Sequence, residues 1–137
     1  DKAVHVVQHN YKPKDKIKYL DNVQYNYPRK NWSSVVLWNC GHEKNKDLNL
    51  HFINNASPAD LHRFNWLEDI NIGSLDISWN WLVGELEGNK EILNSVKNVH
   101  WTVGGPYFKE YSGVDFANEW FSLRDRMNYC RQKDDET

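Results

Sequence analysis

Four stretches of the 137-residue chain group polar and aromatic side chains in ways that suit ligand chemistry. The first is Tyr27-Pro28-Arg29-Lys30-Asn31-Trp32-Ser33-Ser34, set just ahead of an apolar run. Loops at strand ends commonly carry binding residues in α/β folds. Asn31 equally suits a plain turn residue there. The second runs from Leu61 to Asp69 and closes on adjacent carboxylates, Glu68 and Asp69. They are expected to end a helix, where the dipole disfavours negative charge. Such acids either serve a reaction or are ordinary solvated groups. The third is Trp79-Asn80-Trp81. In a strand the two indoles share a face and the amide takes the other. They can stack on a sugar ring or fill a core, the commoner role for Trp. The fourth is His100-Trp101-Thr102-Val103-Gly104-Gly105-Pro106-Tyr107. It offers an imidazole for a metal or a proton, beside a Gly-Gly turn whose N–H groups can hold an oxyanion. A single His is more often structural than a ligand. His5, His9, His42 and His51 show no metal-ligand spacing, and no nucleophile elbow, P-loop or dinucleotide fingerprint is present.

Positioning these groups takes strands and helices with readable signals. Ala3–Val7 is a β-branched run and predicts a strand. Asn10–Lys30 is lysine-rich and broken by Pro13 and Pro28, so it predicts a long surface loop. Ser33–Trp38 is continuously apolar after Ser34, as in a strand covered on both faces. Ser57, Pro58 and Asp60 mark a helix start, with Leu61, Phe64 and Leu67 following on one face. Ile72–Asp76 predicts a loop or edge segment, Ser78–Val83 a buried stretch and Gly84–Asn89 a turn. Val99–Val103 predicts another strand, closed by Gly104-Gly105-Pro106. A last helix is expected from near Ser112, with Phe116, Trp120, Leu123 and Met127 docked on a core, before a frayed tail over 131–137. Few strands among helices and long loops make the fold class α/β or α+β. The small sheet should leave open edges, a route to a homodimer.

Composition narrows the function. The chain carries 17 Lys and Arg against 19 Asp and Glu, which disfavours a nucleic-acid binder working by bulk charge. No apolar run approaches a membrane span of about 20 residues, and no leader pattern opens the sequence. Two cysteines, Cys40 and Cys130, make no disulfide framework, so reduced thiols in a cytoplasmic protein are expected. The aromatic content of 14% fits a folded domain rather than a disordered one.

Taken in order, the four stretches, with Ile72-Gly73-Ser74-Leu75 and Tyr111–Phe121, resemble the C-terminal half of a bacterial and viral group of glycosyltransferases. That group is similar to the glycogenin and lipopolysaccharide galactosyltransferase family. The resemblance implies a partial GT-A sheet with flanking helices, a nucleotide-sugar donor such as a UDP-sugar, a glycan or other acceptor, and a Mn²⁺ or Mg²⁺ ion. It places His100 at the metal and Glu68 and Asp69 near the reacting sugar. Asn31, Trp32, Ser33, Ser34, Trp79, Asn80, Trp81, Gly104 and Gly105 fall on the substrate side. The family's Asp-x-Asp motif is absent, so residues 1–130 are expected to be the C-terminal portion of such an enzyme, inactive without the nucleotide-binding half. The late Lys of the glycogenin branch is also missing after His100. A carbohydrate-binding or self-associating domain without catalysis is the alternative reading.

Overall fold

The computed structural model describes the backbone of residues 1–134 and side chains through Tyr129. Among the described residues lie seven short strands and four α-helices: β1 (Val4–Val6), β2 (Ile17–Lys18), β3 (Asn22–Val23), β4 (Val36–Trp38), α1 (Leu50–Asn55), α2 (Pro58–His62), β5 (Ile72–Ser74), β6 (Trp81–Leu82), α3 (Lys90–Ser95), β7 (Val99–His100) and α4 (Ala117–Asp134). The architecture is α/β. Its main sheet has the order β4-β1-β5. Antiparallel β4 pairs Leu37 with His5, while parallel β5 pairs Gly73 with His5. A second, parallel pair joins β6 to β7, with Trp81 opposite Val99. An antiparallel hairpin joins β2 to β3.

Strand β1 is central because its β-branched residues have somewhere to go. Ala3, Val4 and Val6 are buried with Phe64, Leu67 and Ile72, and Trp32, Val36 and Trp66 pack against them. Outer strand β4 differs from the doubly covered strand expected over Ser33–Trp38. Trp32–Ser34 turns as a 3₁₀ helix, the strand starts only at Val36, and Leu37 and Trp38 are exposed. Ile72–Ser74 is the sheet's other edge, in keeping with the edge segment expected there.

Helix α2 begins as its residues dictate. Ser57 Oγ accepts from the Asp60 N–H at 3.2 Å, and the Asp60 carboxylate accepts from the Ser57 N–H at 3.1 Å. This reciprocal box ties up two otherwise orphaned donors. The helix stops at His62, and Phe64 has φ +53°, so Phe64 and Leu67 reach the core from a turn rather than from a helix face. Glu68 and Asp69 therefore do not end a helix: Glu68 precedes, and Asp69 opens, a 3₁₀ turn leading into β5. Helices α1 and α3 were not anticipated, although Asn49 and Asn89 cap them through their side-chain oxygens. The expected loop over Asn10–Lys30 contains the β2–β3 hairpin. Helix α4 starts at Ala117 after Phe116 at φ +62°, and Leu123 and Met127 are exposed rather than docked. Its backbone continues through Asp134, and residues 135–137 of the expected tail lie outside the described residues.

Candidate functional site

Strand ends decide where polar groups collect. His9 lies just beyond the carboxyl end of β1, Glu85 just beyond β6, and His100 and Thr102 at and beyond the end of β7. Carboxyl ends of parallel strands are where α/β sheets hold ligands. The turn over Tyr27–Asn31 closes the same region and brings Lys30 into it. His9, Lys30, Asn80, Glu85 and Thr102 are all buried. A cleft of about 640 Å³ reaches two of them, His9 and Lys30, and is bordered also by Tyr11, Tyr27 and Trp32.

Asn31 is the knot of this region. It sits at φ +60°, a left-handed conformation that Asn tolerates better than most residues. Its Nδ2 donates to the Tyr11 hydroxyl at 2.6 Å and to Thr102 Oγ1 at 3.2 Å. Its carbonyl accepts from Ser34 Oγ at 2.6 Å. Ser34 Oγ in turn accepts from Asn80 Nδ2 at 2.7 Å. Trp32 Nε1 donates to the His9 carbonyl at 2.9 Å. These bonds join the β1 end, the Tyr27–Ser34 segment and the β6–β7 pair.

Several buried atoms of the cluster have no hydrogen-bond partner among the described residues. They are both ring nitrogens of His9, Nδ1 of His100, Oδ1 of Asn80 and Oε1 of Glu85. Glu85 Oε2 is satisfied by the Lys14 backbone N–H at 3.0 Å. Buried polar atoms normally find partners, so five in one region is a strong local demand. Burial, with His100 beside it, pulls the His9 imidazole down to about 4. Burial and then Lys18 lower His100. Burial and then Lys18 also lower Lys30, against a smaller opposing pull from Glu85. The Tyr11 phenol is pushed up by burial and the Glu85 charge. Near neutral pH the region thus presents two uncharged imidazoles and an uncharged phenol. The Lys30 ammonium lies over the Tyr27 ring at 4.6 Å.

The expected site residues divide. Asn31, Trp32, Ser34, Asn80 and His100 belong to this region. Ser33 turns away and meets His62 Nδ1 at 3.2 Å, beside an apolar groove that includes Trp38 and Trp66. Glu68 and Asp69 stand on the turn before β5, at the opposite end of the main sheet. Asp69 is held by Arg29, whose guanidinium also donates to the carbonyls of Arg63, Phe64 and Leu67. Trp79 and Trp81 do not share a face. Trp79 is on an exposed 3₁₀ turn under Lys97, Asn80 breaks the chain direction, and Trp81 is buried. Gly104 and Gly105 are buried against the rings of Tyr111 and Tyr107, which fill the space a Cβ would need. Close packing accounts for these glycines.

Among the described residues no three His, Cys, Asp or Glu side chains gather for a metal, and the nearby Lys18 charge opposes a cation. His9, Tyr11, Lys30, Glu85 and Thr102 were missed as site residues. Their sequence signal was position, polar groups directly after buried strands, hidden because the Tyr11–Lys30 stretch reads as surface loop.

No protein-family model matches the chain, and no solved structure matches it. The chain is similar to Protein CDI from Arabidopsis thaliana, 44% identical over 133 residues. The match covers 96% of this chain and 51% of that protein, so the chain spans about half the length of the curated relative. This corrects the expected glycosyltransferase membership: the relative found over nearly the whole chain does not bear that name, and no such family model matches. The nucleotide-sugar transfer reading does not stand. No helix among the described residues is long and apolar enough to cross a membrane.

Proposed function

We propose that this chain is a binding domain for a small polar molecule, held where β1, β6 and β7 end. The observation that carries this reading is the set of partnerless buried atoms on His9, His100, Asn80 and Glu85, of which His9 itself borders an open cleft. Leaving such atoms unpaired costs about 1–3 kcal/mol each. A ligand offering both donors and acceptors recovers that cost. Neutral imidazoles suit it because each can donate through one nitrogen and accept through the other. The test compares wild type with His9→Phe in a thermal-shift screen of small carboxylates, amides and amino acids. The expected result is a wild-type hit lost in His9→Phe while the variant stays folded. Hits common to both proteins, or none with wild type, overturn the reading.

A second reading concerns assembly. Strand β4 offers a free outer edge, with Leu37 59% and Trp38 41% exposed beside it. Pairing of this edge with a second copy gives a homodimer, and its test is argued at the scale of the whole molecule below.

A further inference from the structure

We propose that the cleft between the end of β1 and the Tyr27–Trp32 turn holds the carboxylate end of its ligand, with Lys30 as the counter-ion. This rests on the small-molecule reading above and names the chemical class of what binds. The charged residues lining the cleft are Lys12, Arg29 and Lys30, and no Asp or Glu is among its lining residues. Arg29 is already held by Asp69 and three carbonyls, and Lys12 is exposed to solvent. Lys30 differs from both. It is only 8% exposed, yet no carboxylate among the described residues forms an ion pair with it. A lysine is almost never buried without such a partner. Its ammonium rests over the Tyr27 ring at 4.6 Å, a contact that engages one side of a group with three N–H donors. Burial and the Lys18 charge both work against that ammonium, and the opposing pull of Glu85 is smaller than either. Glu85 is itself engaged through Oε2 by the Lys14 backbone N–H. An anion in the cleft supplies the missing counter-charge.

The other groups at the cleft select the kind of anion. The Tyr11 hydroxyl accepts from Asn31 Nδ2 at 2.6 Å, and no acceptor for its own proton is found among the described residues. Burial and the Glu85 charge keep that proton on the oxygen. The His9 ring centroid lies 6.2 Å from that of Tyr11, and the neutral imidazole carries one N–H without a partner. Lys30, Tyr11 and His9 therefore border one opening as three donors in search of acceptors. A carboxylate only accepts, through two oxygens with about four lone-pair positions, so it can take all three. A primary amide cannot, because half of it donates. One uncommitted ammonium balances one carboxylate, whereas a phosphate dianion leaves a charge without a counter-ion.

The test is calorimetric titration of the chain, at matched ionic strength, with benzoate and propionate, with their amides benzamide and propionamide, and with inorganic phosphate. At least one carboxylate should bind wild type at least about tenfold more tightly than its own amide. Lys30→Met should erase that preference with an unchanged or higher Tm, because it removes a buried charge. Tyr11→Phe removes one donor and keeps the charge, so it should weaken carboxylate binding about tenfold and still favour the carboxylate over the amide. If Lys30→Met does not fold, wild type and Tyr11→Phe decide. Amides that bind as tightly as their carboxylates overturn the carboxylate assignment and leave the small-molecule site standing. Tighter binding of phosphate than of either carboxylate overturns it as well, as does an equal preference in wild type and Lys30→Met. Binding of none of the five overturns both this inference and the reading on which it rests.

Discussion

His9 shows most directly how one residue ties stability to function. Its ring is buried, both nitrogens are partnerless, and its pKa falls from 6.5 to about 4. The sign follows from linkage. Above pH 6.5 the ring is neutral whether the chain is folded or not, and it contributes no pH dependence. Between pH 6.5 and about 4 the unfolded chain takes up a proton that the folded chain refuses. Stability is therefore lost as pH falls through that window, by on the order of 3 kcal/mol for the full shift. His100 is lowered too and adds in the same direction. The midpoint of urea unfolding should drop steadily between pH 7 and pH 4.5. In His9→Phe the slope should shrink, and stability at pH 7 should rise by about 1 kcal/mol because no orphaned nitrogen remains. A wild-type midpoint independent of pH across this range contradicts the neutral, buried imidazole. A gain in stability joined to a loss of binding is the usual signature of a residue kept for its site.

At the scale of elements, Arg29 does the work that a longer helix would otherwise do. Helix α2 spans only Pro58–His62, and the chain then turns at Phe64 with positive φ. The Arg29 guanidinium fastens that turn through the carbonyls of Arg63 at 2.6 Å, Phe64 at 2.9 Å and Leu67 at 3.1 Å. These acceptors lie in a part-buried setting, so their loss is costly. Arg29→Met should destabilise the fold by about 2–4 kcal/mol. Asp69→Asn should cost under about 1 kcal/mol, because the Asp69 carboxylate is solvent-exposed. Similar losses for the two variants in chemical denaturation would assign the clasp to the ion pair instead of the carbonyls. This contrast also explains what was legible. The start of α2 was readable because Ser57, Pro58 and Asp60 act within one turn of chain. The fate of Glu68 and Asp69 was not, because it depends on Arg29, 40 residues away in the Arg29–Asp69 bond. The same holds for His9 and His100. Each looks like an isolated histidine in sequence, and only the strands that end beside them bring the two into one region.

The whole molecule turns on how little sheet it has. Strand β1 was legible because its valines are buried by any arrangement that folds, whereas β4 misled because its apolar run was read as covered on both faces. Leu37 instead lies exposed on the outer strand of a three-stranded sheet, and Trp38 on the other face stacks on Trp66 while staying partly exposed. An exposed edge with apolar side chains is a template for pairing, and native folds usually blunt such edges with charge or Pro. Nothing in Val36–Trp38 does so. Two copies meeting along β4 pair the strand with itself and place Leu37 at the centre of the contact. A two-fold arrangement of this kind closes on itself and yields a dimer rather than a fibre. Leu37→Lys puts a charge at that centre twice over. Because Leu37 is exposed in the monomer, the substitution should alter its stability by no more than about 0.5 kcal/mol. Sedimentation velocity across a hundredfold concentration range should show wild type passing from monomer to dimer and Leu37→Lys remaining monomeric. A dimer that persists in Leu37→Lys places the contact on another surface, and a wild-type monomer at every concentration leaves the β4 edge without a partner in a second copy.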